Sequence, residues 1–491
     1  MSLKRQAISG AAWSAADTLG RQAVSLGVFV VLARLLMPDD LGLFALVVVF
    51  YSFMQTLVDD GIGETLVQRA TLQADHLSTA FWTNLAVAIG VAVVGTGLAG
   101  LGAEMAGRPQ LAPLVGAQGL VLVVSALGGI HQAMLRRRLQ FRALAVRTWI
   151  SILLAGIVGI AMALSGCGIW SLFGQQLTER TISTAMLWRS GNWHPRASWS
   201  RRHAADLFGY TLRTVATRIT ILAHNQIDRV MIASLLGIVL LGHYVLATRI
   251  TDTLITALII SMTTAAFSAF ARMQDSRQRL REAFHGTLRA MMLVVAPAFF
   301  GVAVVAPTLV EALFGPRWEG AAPVVMLLAL NGVPVLLMSM LGVVLRATGQ
   351  PGRFLLVVAA GAVGNLAAAA IGARWGLSGV ATALVIRHYV FLPALLWLAR
   401  REIGASPMRA LRDTLPAIAG VAAMLVTVLW VRNLLGGIAS PPEAAVRLIV
   451  EILAGGTAYL AALLATGWRQ LATMLRMARP HLPQPDPEGA A

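Results

Sequence analysis

The sequence predicts an all-α polytopic membrane protein, and three observations lead to that class. Of the 491 residues, 57% are hydrophobic and 12% are charged, whereas a soluble domain carries about 25% charged residues. Apolar runs of bilayer-spanning length follow one another along the chain, enough for about fourteen transmembrane helices. The basic residues cluster in every second gap between those runs. These features exclude a soluble globular protein and a disordered chain, and the single cysteine excludes a disulfide scaffold.

The apolar runs are the elements of this prediction, and Arg, Gly or Pro residues bound them. A run of about 20 residues crosses the hydrocarbon core as a helix, because an α-helix rises about 1.5 Å per residue. In chain order, the predicted spans are 10–37, 41–67, 79–101, 111–133, 146–165, 167–188, 206–236, 240–264, 286–309, 321–345, 354–373, 377–398, 411–432 and 444–467.

The longest polar connection before the C-terminal tail follows the sixth span and divides the chain. We therefore expect an N-terminal lobe of six transmembrane helices at 1–190, a cytoplasmic linker at 191–205 and a second six-helix lobe at 206–400. Two further transmembrane helices occupy 401–468. The Pro-rich polar tail at 469–491 is expected to be cytoplasmic and disordered.

A weak internal repeat supports the division into two lobes. Residues 31–46 resemble residues 231–246, which aligns the first span with the seventh and the second with the eighth. Six residues recur 200 positions later: Ala33, Leu35, Leu36, Leu41, Gly42 and Leu46. A repeat of six spans preserves orientation, so the lobes are expected to be related by an axis along the membrane normal.

The distribution of basic residues predicts the orientation of the chain. When the N-terminus is placed in the cytoplasm, cytoplasmic segments hold about five times as many Lys and Arg residues as the opposite side. An error in the span count would destroy this alternation. Both termini are therefore expected to be cytoplasmic, and the net charge of +17 is assigned to cytoplasmic loops rather than to nucleic-acid binding.

Charged residues inside the predicted spans are the candidate functional residues. A charge at mid-membrane costs about 2.5–3.5 kcal/mol, so such side chains should face protein or a wet cavity. Arg218, Asn225 and Arg229 share one face of the seventh span and cover about 16 Å along it. Arginine forks bind phosphate oxygens in a bidentate manner, which suits a phosphate-bearing ligand. The other candidate ligand-binding residues are Arg21, Arg249 and Arg387.

Each of these charges also has a structural interpretation. Asp17 and Arg21 are four residues apart and Arg249 and Asp252 are three apart, so each pair can neutralise itself on one helix face. His224 is either a proton-coupling residue or a packing residue. The candidate coupling or ion-pairing residues are Asp17, Asp228, Asp252 and His224.

The chain shows no sequence signature of catalysis. It has no Gly-x-Ser-x-Gly elbow, no Walker loop and no His-Glu-x-x-His motif. The sequence therefore predicts no catalytic residue, no metal site and no cofactor.

Five segments resemble Wzx-type polysaccharide flippases, of the multidrug/oligosaccharidyl-lipid/polysaccharide exporter superfamily. The first, at 32–69, begins LARLLMPDDLGLFAL and resembles the opening signature of that family. The segments 224–237 and 241–250 resemble its seventh and eighth spans, 267–284 the loop that follows, and 309–332 the turn between the ninth and tenth spans. The similarity covers most of the two predicted lobes.

The resemblance implies twelve core helices in two lobes, often followed by two more. It also implies an activity, which is to move undecaprenyl-diphosphate-linked oligosaccharide repeat units across the bacterial inner membrane. From the interior arginines, we expect this transport to proceed by alternating access around an Arg-lined cavity. Implied partners are that substrate, membrane lipid, and possible polysaccharide polymerase and glycosyltransferase enzymes, and we expect a monomer. Lys4 is the only lysine, so any cationic role falls to arginine.

Two other functions stay open at this point. A cation-coupled multidrug exporter of the same superfamily would need an acidic cavity, whereas the interior charges slightly favour arginine. A membrane enzyme, such as a polymerase or an acyltransferase, would need a larger extramembrane site than the short predicted loops provide.

Overall fold

The computed structural model describes the backbone at 3–68, 74–105, 110–138, 140–190, 193–436 and 441–478. Within these ranges, the side chains are described except in a few helical stretches, chiefly 3–17, 59–68, 101–105, 202–217 and 467–478.

The described chain is helical almost throughout. The α-helices are α1 (Leu3–Leu35), α2 (Pro38–Gln68), α3 (Ala74–Met105), α4 (Leu111–Arg137), α5 (Phe141–Leu164), α6 (Trp170–Ser190), α7 (Arg201–Leu235), α8 (Ile238–Leu254), α9 (Ser261–Ala271), α10 (Arg277–Phe314), α11 (Ala322–Ala329), α12 (Gly332–Ala347), α13 (Pro351–Gly372), α14 (Gly376–Ile403), α15 (Pro407–Leu435) and α16 (Pro441–Ala478). A π-helical turn, Ile255–Ile260, joins α8 to α9, and α11 meets α12 at a bend of 47°. Each predicted apolar run coincides with one helix or with one of these two pairs.

Length and composition support the membrane class. In the described part of the chain, nine helical runs are long and apolar enough to cross a bilayer, or ten if the bent pair forms one span. The run Pro351–Ile403 has 53 residues and contains both α13 and α14. The backbones of Gly372 and Gly379 lie so close that a Cβ on either would fall within 2.6 Å of the other's carbonyl oxygen, because the chain turns back there. The all-α polytopic class is confirmed.

Residue contacts divide the chain into two compact units that are not continuous in sequence. Unit 1 comprises Met1–Thr253, Leu313–Leu328 and Gln350–Arg387. Unit 2 comprises Leu254–Ala312, Ala329–Gly349 and His388–Ala491. The arrangement of two consecutive six-helix lobes stays a prediction.

The residues of the sequence repeat meet inside unit 1. A Cβ on Gly42 would lie 2.0 Å from the carbonyl oxygen of Ile238, and a Cβ on Gly242 would lie 2.0 Å from that of Pro38. Pro38 and Ile238 open α2 and α8, and they are themselves 200 positions apart. The two helix starts therefore pack on each other reciprocally, and only glycine fits at this approach.

The described part of the predicted linker, residues 193–200, is hydrogen-bonded to α3. The hydroxyl oxygens of Ser78 and Thr79 accept hydrogen bonds from the backbone N–H groups of Arg196 and Ser200 at 3.1 and 3.2 Å. The Nε1–H of Trp199 donates to a third hydroxyl on α3. Because α7 begins at residue 201, the connection is also shorter than predicted. We call residues 193–200 the strap.

A buried carboxylate joins the last two helices in unit 2. Glu451 on α16 is fully buried, and its Oε1 lies 3.2 Å from Nε of both Arg432 and Arg447. Arg432 also donates to the carbonyl oxygen of Val304 on α10 at 2.5 Å. The same helix pair is held to α10 by Tyr459, whose hydroxyl donates to the carbonyl of Leu293 at 2.8 Å.

Candidate functional site

One face of α1 brings two of the predicted arginines together in unit 1. Arg21, Ser25 and Phe29 are spaced four residues apart, so they lie on one face of the helix. Arg249 of α8 reaches this face. Its Nη2 donates to Ser25 Oγ at 2.5 Å, and its guanidinium carbon lies 5.6 Å from the centroid of the Phe29 ring. Arg21 and Arg249 therefore border the same region between α1 and α8.

The pair α7 and α8 carries a second set of charges. Arg229 Nη2 lies 3.7 Å from Asp252 Oδ2, and the Asp252 side chain is 56% exposed. The buried Tyr244 donates its hydroxyl hydrogen to Asp228. Asp252 thus forms an ion pair across the two helices with Arg229, and it also acts electrostatically on Arg249 of its own helix.

A third group lies where α7 meets α13 and α14. Arg387 is only 9% exposed. A Cβ on Gly361 would lie 2.8 Å from the His224 ring and 3.6 Å from Arg387 Nη1, so the glycine makes room for both side chains. Asn365 Nδ2 donates to the His224 carbonyl at 3.3 Å. Arg387 is within electrostatic range of Asp228, which connects this group to the previous one.

The predicted stripe on α7 lies on an unbroken helix. Arg218, Asn225 and Arg229 share a face because α7 is continuous from Arg201 to Leu235. Arg218 and Asn225 are exposed, whereas the side chain of Arg229 is 20% exposed. The side chain of Asp17 lies outside the described residues.

Two further arginines of the same unit were not among the predicted site residues: Arg147, which was expected in a cytoplasmic loop, and Arg180, which was expected inside the sixth span. Arg147 is placed inside α5 because that helix begins earlier than predicted, and it is within electrostatic range of Arg21, Arg180 and Glu179. Glu179 also acts on Arg249. Adjacent residues on a helix point about 100° apart, so Glu179 and Arg180 cannot pair with each other. Their spacing could therefore have indicated that each side chain interacts with a different partner.

These groups form a basic interior within unit 1. Among the described side chains it contains three carboxylates, which are Glu179, Asp228 and Asp252, and six arginines, which are Arg21, Arg147, Arg180, Arg229, Arg249 and Arg387. The excess of guanidinium groups suits an anionic ligand with oxygen acceptors. The described residues contain no group of three or more His, Cys, Asp or Glu side chains that could hold a metal ion.

Unit 2 contains a cavity of the opposite character. Its volume is about 480 Å³, and residues of α10, α12, α14 and α15 line it, among them Met292, Phe300, Leu337, Leu392 and Leu425. The lining is almost entirely apolar, so a charged group placed there would be desolvated without a partner.

Comparisons with known proteins identify the family. Residues 31–323 match the family model described as polysaccharide biosynthesis protein. The chain belongs to this family. It is 27% identical over 482 residues to the succinoglycan biosynthesis transport protein ExoT of Rhizobium meliloti (strain 1021), covering 98% of this chain and 97% of that one. It is 27% identical over 366 residues to the lipopolysaccharide biosynthesis protein WzxC of Escherichia coli (strain K12), covering 73% and 71%.

Solved structures show the same fold. The lipid II flippase MurJ, in an inward closed conformation, superposes with a TM-score of 0.75 at 12% identity, over 93% of this chain and 98% of that one. A multidrug resistance MATE family transporter in its inward-facing conformation gives a TM-score of 0.61 at 17% identity, over 77% and 94%. The Wzx-like resemblance is confirmed. The protein is a membrane transporter of polysaccharide biosynthesis and not an enzyme.

Proposed function

We propose that this transporter flips undecaprenyl-diphosphate-linked oligosaccharide repeat units from the cytoplasmic to the periplasmic leaflet of the bacterial inner membrane. The observation that carries the proposal is the excess of arginine over carboxylate among the described side chains in the interior of unit 1. The diphosphate has the highest density of negative charge in such a substrate, and arginine guanidinium groups bind phosphate oxygens through bidentate hydrogen bonds. The names of the relatives, which refer to succinoglycan, lipopolysaccharide and lipid II, support a saccharide linked to a lipid.

The arginines of α1, α7 and α8 hold the diphosphate. Arg249 is preorganised by Ser25 and by the Phe29 ring, which restrict its guanidinium plane. Arg229 is held by Asp252 at 3.7 Å, and the exposed carboxylate can yield its place to a phosphate oxygen. Arg21, Arg218 and Arg387 supplement these contacts, while Asn225 offers an amide to the sugar hydroxyls.

The polyprenyl tail remains in lipid while the headgroup crosses, and the lobes give alternating access to the site. An inside-negative membrane potential drives negative charge outward and supplies about 2.3 kcal/mol per charge per 100 mV. Part of the driving force therefore needs no nucleotide. His224, Asp228 and Asp252 are the titratable residues available for coupling to an ion.

The orientation and the partners follow from the same proposal. Both termini lie in the cytoplasm, on the side where glycosyltransferases assemble the repeat unit, and a polymerase consumes it on the other side. The protein acts as a monomer. A cation-coupled multidrug exporter is disfavoured, because a cationic drug would meet the surplus of arginine among the described interior side chains of unit 1.

Deletion of the gene tests the proposal. The deletion strain should lose its surface polymer and accumulate lipid-linked repeat units in the cytoplasmic leaflet, where a membrane-impermeant glycan-labelling reagent does not reach them. Accumulation in the periplasmic leaflet would instead indicate a defect after flipping. Normal polymer in the deletion strain, with drug resistance on overexpression, would favour the multidrug exporter.

Complementation tests the site. The variant Arg218→Ala/Arg229→Ala should insert at wild-type abundance and fail to restore polymer. The matched control is Arg138→Ala/Arg142→Ala, which removes two exposed arginines near the start of α5 and should restore polymer. Equal polymer in the two variants would refute the assignment of the α7 stripe.

A further inference from the structure

We propose that the apolar cavity of unit 2 holds an acyl chain of an anionic phospholipid, whose phosphate lies on arginines at one end of the cavity. That end, which we call the mouth, is lined by Leu288, Leu396 and Pro407. The site is separate from the basic interior of unit 1, and the inference does not depend on the proposed flipping activity.

The cavity runs along the helices rather than across them. On α10 it is lined by Leu288, Met292, Ala296 and Phe300, which recur every four residues and therefore share one face. These residues cover about 18 Å, because a helix rises about 1.5 Å per residue. Half of the hydrocarbon core of a bilayer is about 15 Å deep. The cavity therefore has the length of an acyl chain in one leaflet.

Helix-interior prolines and short side chains keep this space open. Pro297 of α10 and Pro393 of α14 each directly follow a lining residue, and a proline inside a helix interrupts its hydrogen bonds and bends it. On α15 the lining includes Ala410, Thr414 and Ala422, whose short side chains leave the space unfilled. The remaining volume is about 480 Å³, and an apolar space of this kind takes an apolar ligand rather than water.

The cavity is open beside α15. Leu411 and Ile418 line it and are 52% and 45% exposed. They are seven residues apart, so the open side extends over about two helical turns. An acyl chain can therefore enter from the side, as lipid exchange requires.

Arginines surround the mouth on three helices. Arg400 lies four residues after Leu396 on α14, so it is on the side of that helix that lines the cavity. Arg289 directly follows a lining residue of α10, and Arg409 directly precedes one of α15. The apolar lining therefore changes to guanidinium groups within about one turn of each helix.

The charge at the mouth is only partly neutralised. Asp413 is shared by three groups, because its carboxylate lies 2.8 Å from Arg289 Nη2, 3.9 Å from Arg409 Nε and 3.3 Å from His285 Nδ1. The side chains of Arg289 and Arg409 remain 30% and 50% exposed. One carboxylate therefore serves two arginines that can still be reached by a further anion.

The excess of arginine extends over the whole mouth. The segments 277–289 and 400–413 together hold eight arginines and three carboxylates. They form one basic surface, because Arg281 of the first segment has its Nη1 3.7 Å from the position of a Cβ on Gly404 of the second. Guanidinium groups bind phosphate oxygens through bidentate hydrogen bonds, and basic pockets between membrane helices bind anionic lipid headgroups.

An anionic phospholipid matches both parts of this site at once. A soluble anion would bind the arginines and leave the apolar cavity empty. A lipid without net charge would fill the cavity and leave the surplus positive charge without a counter-ion. The charge and the lining together therefore select a lipid that carries a net negative phosphate next to its acyl chains.

Binding of radiolabelled phosphatidylglycerol to the purified full-length chain in detergent tests the headgroup end. Phosphatidylcholine with the same acyl chains, which has no net charge, should bind about tenfold more weakly. Arg400→Gln and Arg409→Gln should each weaken binding of phosphatidylglycerol about tenfold. The matched control, Arg279→Gln, removes an exposed arginine from the opposite face of α10 and should leave the affinity unchanged.

Equal affinities of the three variants for phosphatidylglycerol would overturn the assignment of the headgroup. The comparison of the two lipids on the wild-type chain needs no variant, and equal affinities there would overturn the proposal by themselves.

A filled cavity tests the acyl-chain end. Ala422→Phe places a ring in the cavity and should abolish binding of both lipids, whereas Ala419→Phe makes the same change at an exposed position of α15 outside the cavity and should bind as the wild type does. Equal binding by these two variants would overturn the assignment of the cavity. Undecaprenyl phosphate should not displace phosphatidylglycerol at equal concentration, because its branched chain is longer than the cavity. Displacement would overturn the proposal in favour of a site for the tail of the transported lipid.

Discussion

Replacing Glu451 with Gln should destabilise unit 2 strongly, because the carboxylate neutralises two arginines in a site closed to solvent. Glu451 is fully buried, and the side chains of Arg432 and Arg447 are only 23% and 10% exposed. The Gln variant keeps the shape and removes the charge, so both guanidinium groups remain without a counter-ion. Breaking a buried pair in this way costs about 3–5 kcal/mol. We expect the apparent Tm to fall by about 6–10 °C.

A thermal-shift measurement on the detergent-solubilised protein checks this prediction. Glu443→Gln is the matched control, since it makes the same change at an exposed position of the same helix, and its Tm should match the wild type. The double variant Glu451→Gln/Arg447→Gln should regain part of the loss, because it removes one of the stranded charges. A Tm for Glu451→Gln equal to that of the control would refute the reasoning.

Three further predictions concern unit 1. Gly42→Ala should lower the apparent Tm, because its Cβ would overlap a carbonyl oxygen of α8, whereas Gly27→Ala has open space and should not. Arg249→Lys should reduce polymer export about tenfold at normal abundance, because lysine cannot reproduce the planar fork; full export would contradict the site. Ser78→Ala should accelerate trypsin cleavage after Arg196 about fivefold, since the strap loses a hydrogen bond worth about 1 kcal/mol; an unchanged cleavage rate would show that this bond does not hold the strap.

Hydropathy located the helices well because lipid imposes one requirement on every span. An apolar run of sufficient length must be helical to satisfy its backbone, so the position of each span can be predicted from composition. The ends are less predictable, because helices continue into water where no apolar residue marks them. This is why α5 and α7 begin about five residues earlier than expected, and why Arg147 was assigned to a loop.

Irregularities inside the spans leave no comparable signal. The π-helical turn at Ile255–Ile260 and the bend near Asn331 occur in sequences that are apolar on both sides. The ion pairs were predicted only in part for a related reason. Spacing along one helix identifies partners within that helix, whereas the choice of Arg229 by Asp252 depends on how α7 packs on α8.

The ion pairs of Glu451 in unit 2 differ from the charge interactions of Asp252 and Glu179 in unit 1, and the difference distinguishes a structural role from a role in ligand binding. Glu451 is buried, has two contacts of 3.2 Å and connects the last two helices. Its carboxylate and both arginines are therefore used in structural ion pairs. The carboxylate of Asp252 is exposed and lies 3.7 Å from its arginine, and Glu179 is divided between Arg147 and Arg249. An arginine in such a buried ion pair can bind a phosphate only by breaking the pair, which costs about 3–5 kcal/mol of free energy. Arginines with distant or shared partners can exchange them for a ligand, which is what a carrier requires, since it must bind an anion on one side and release it on the other.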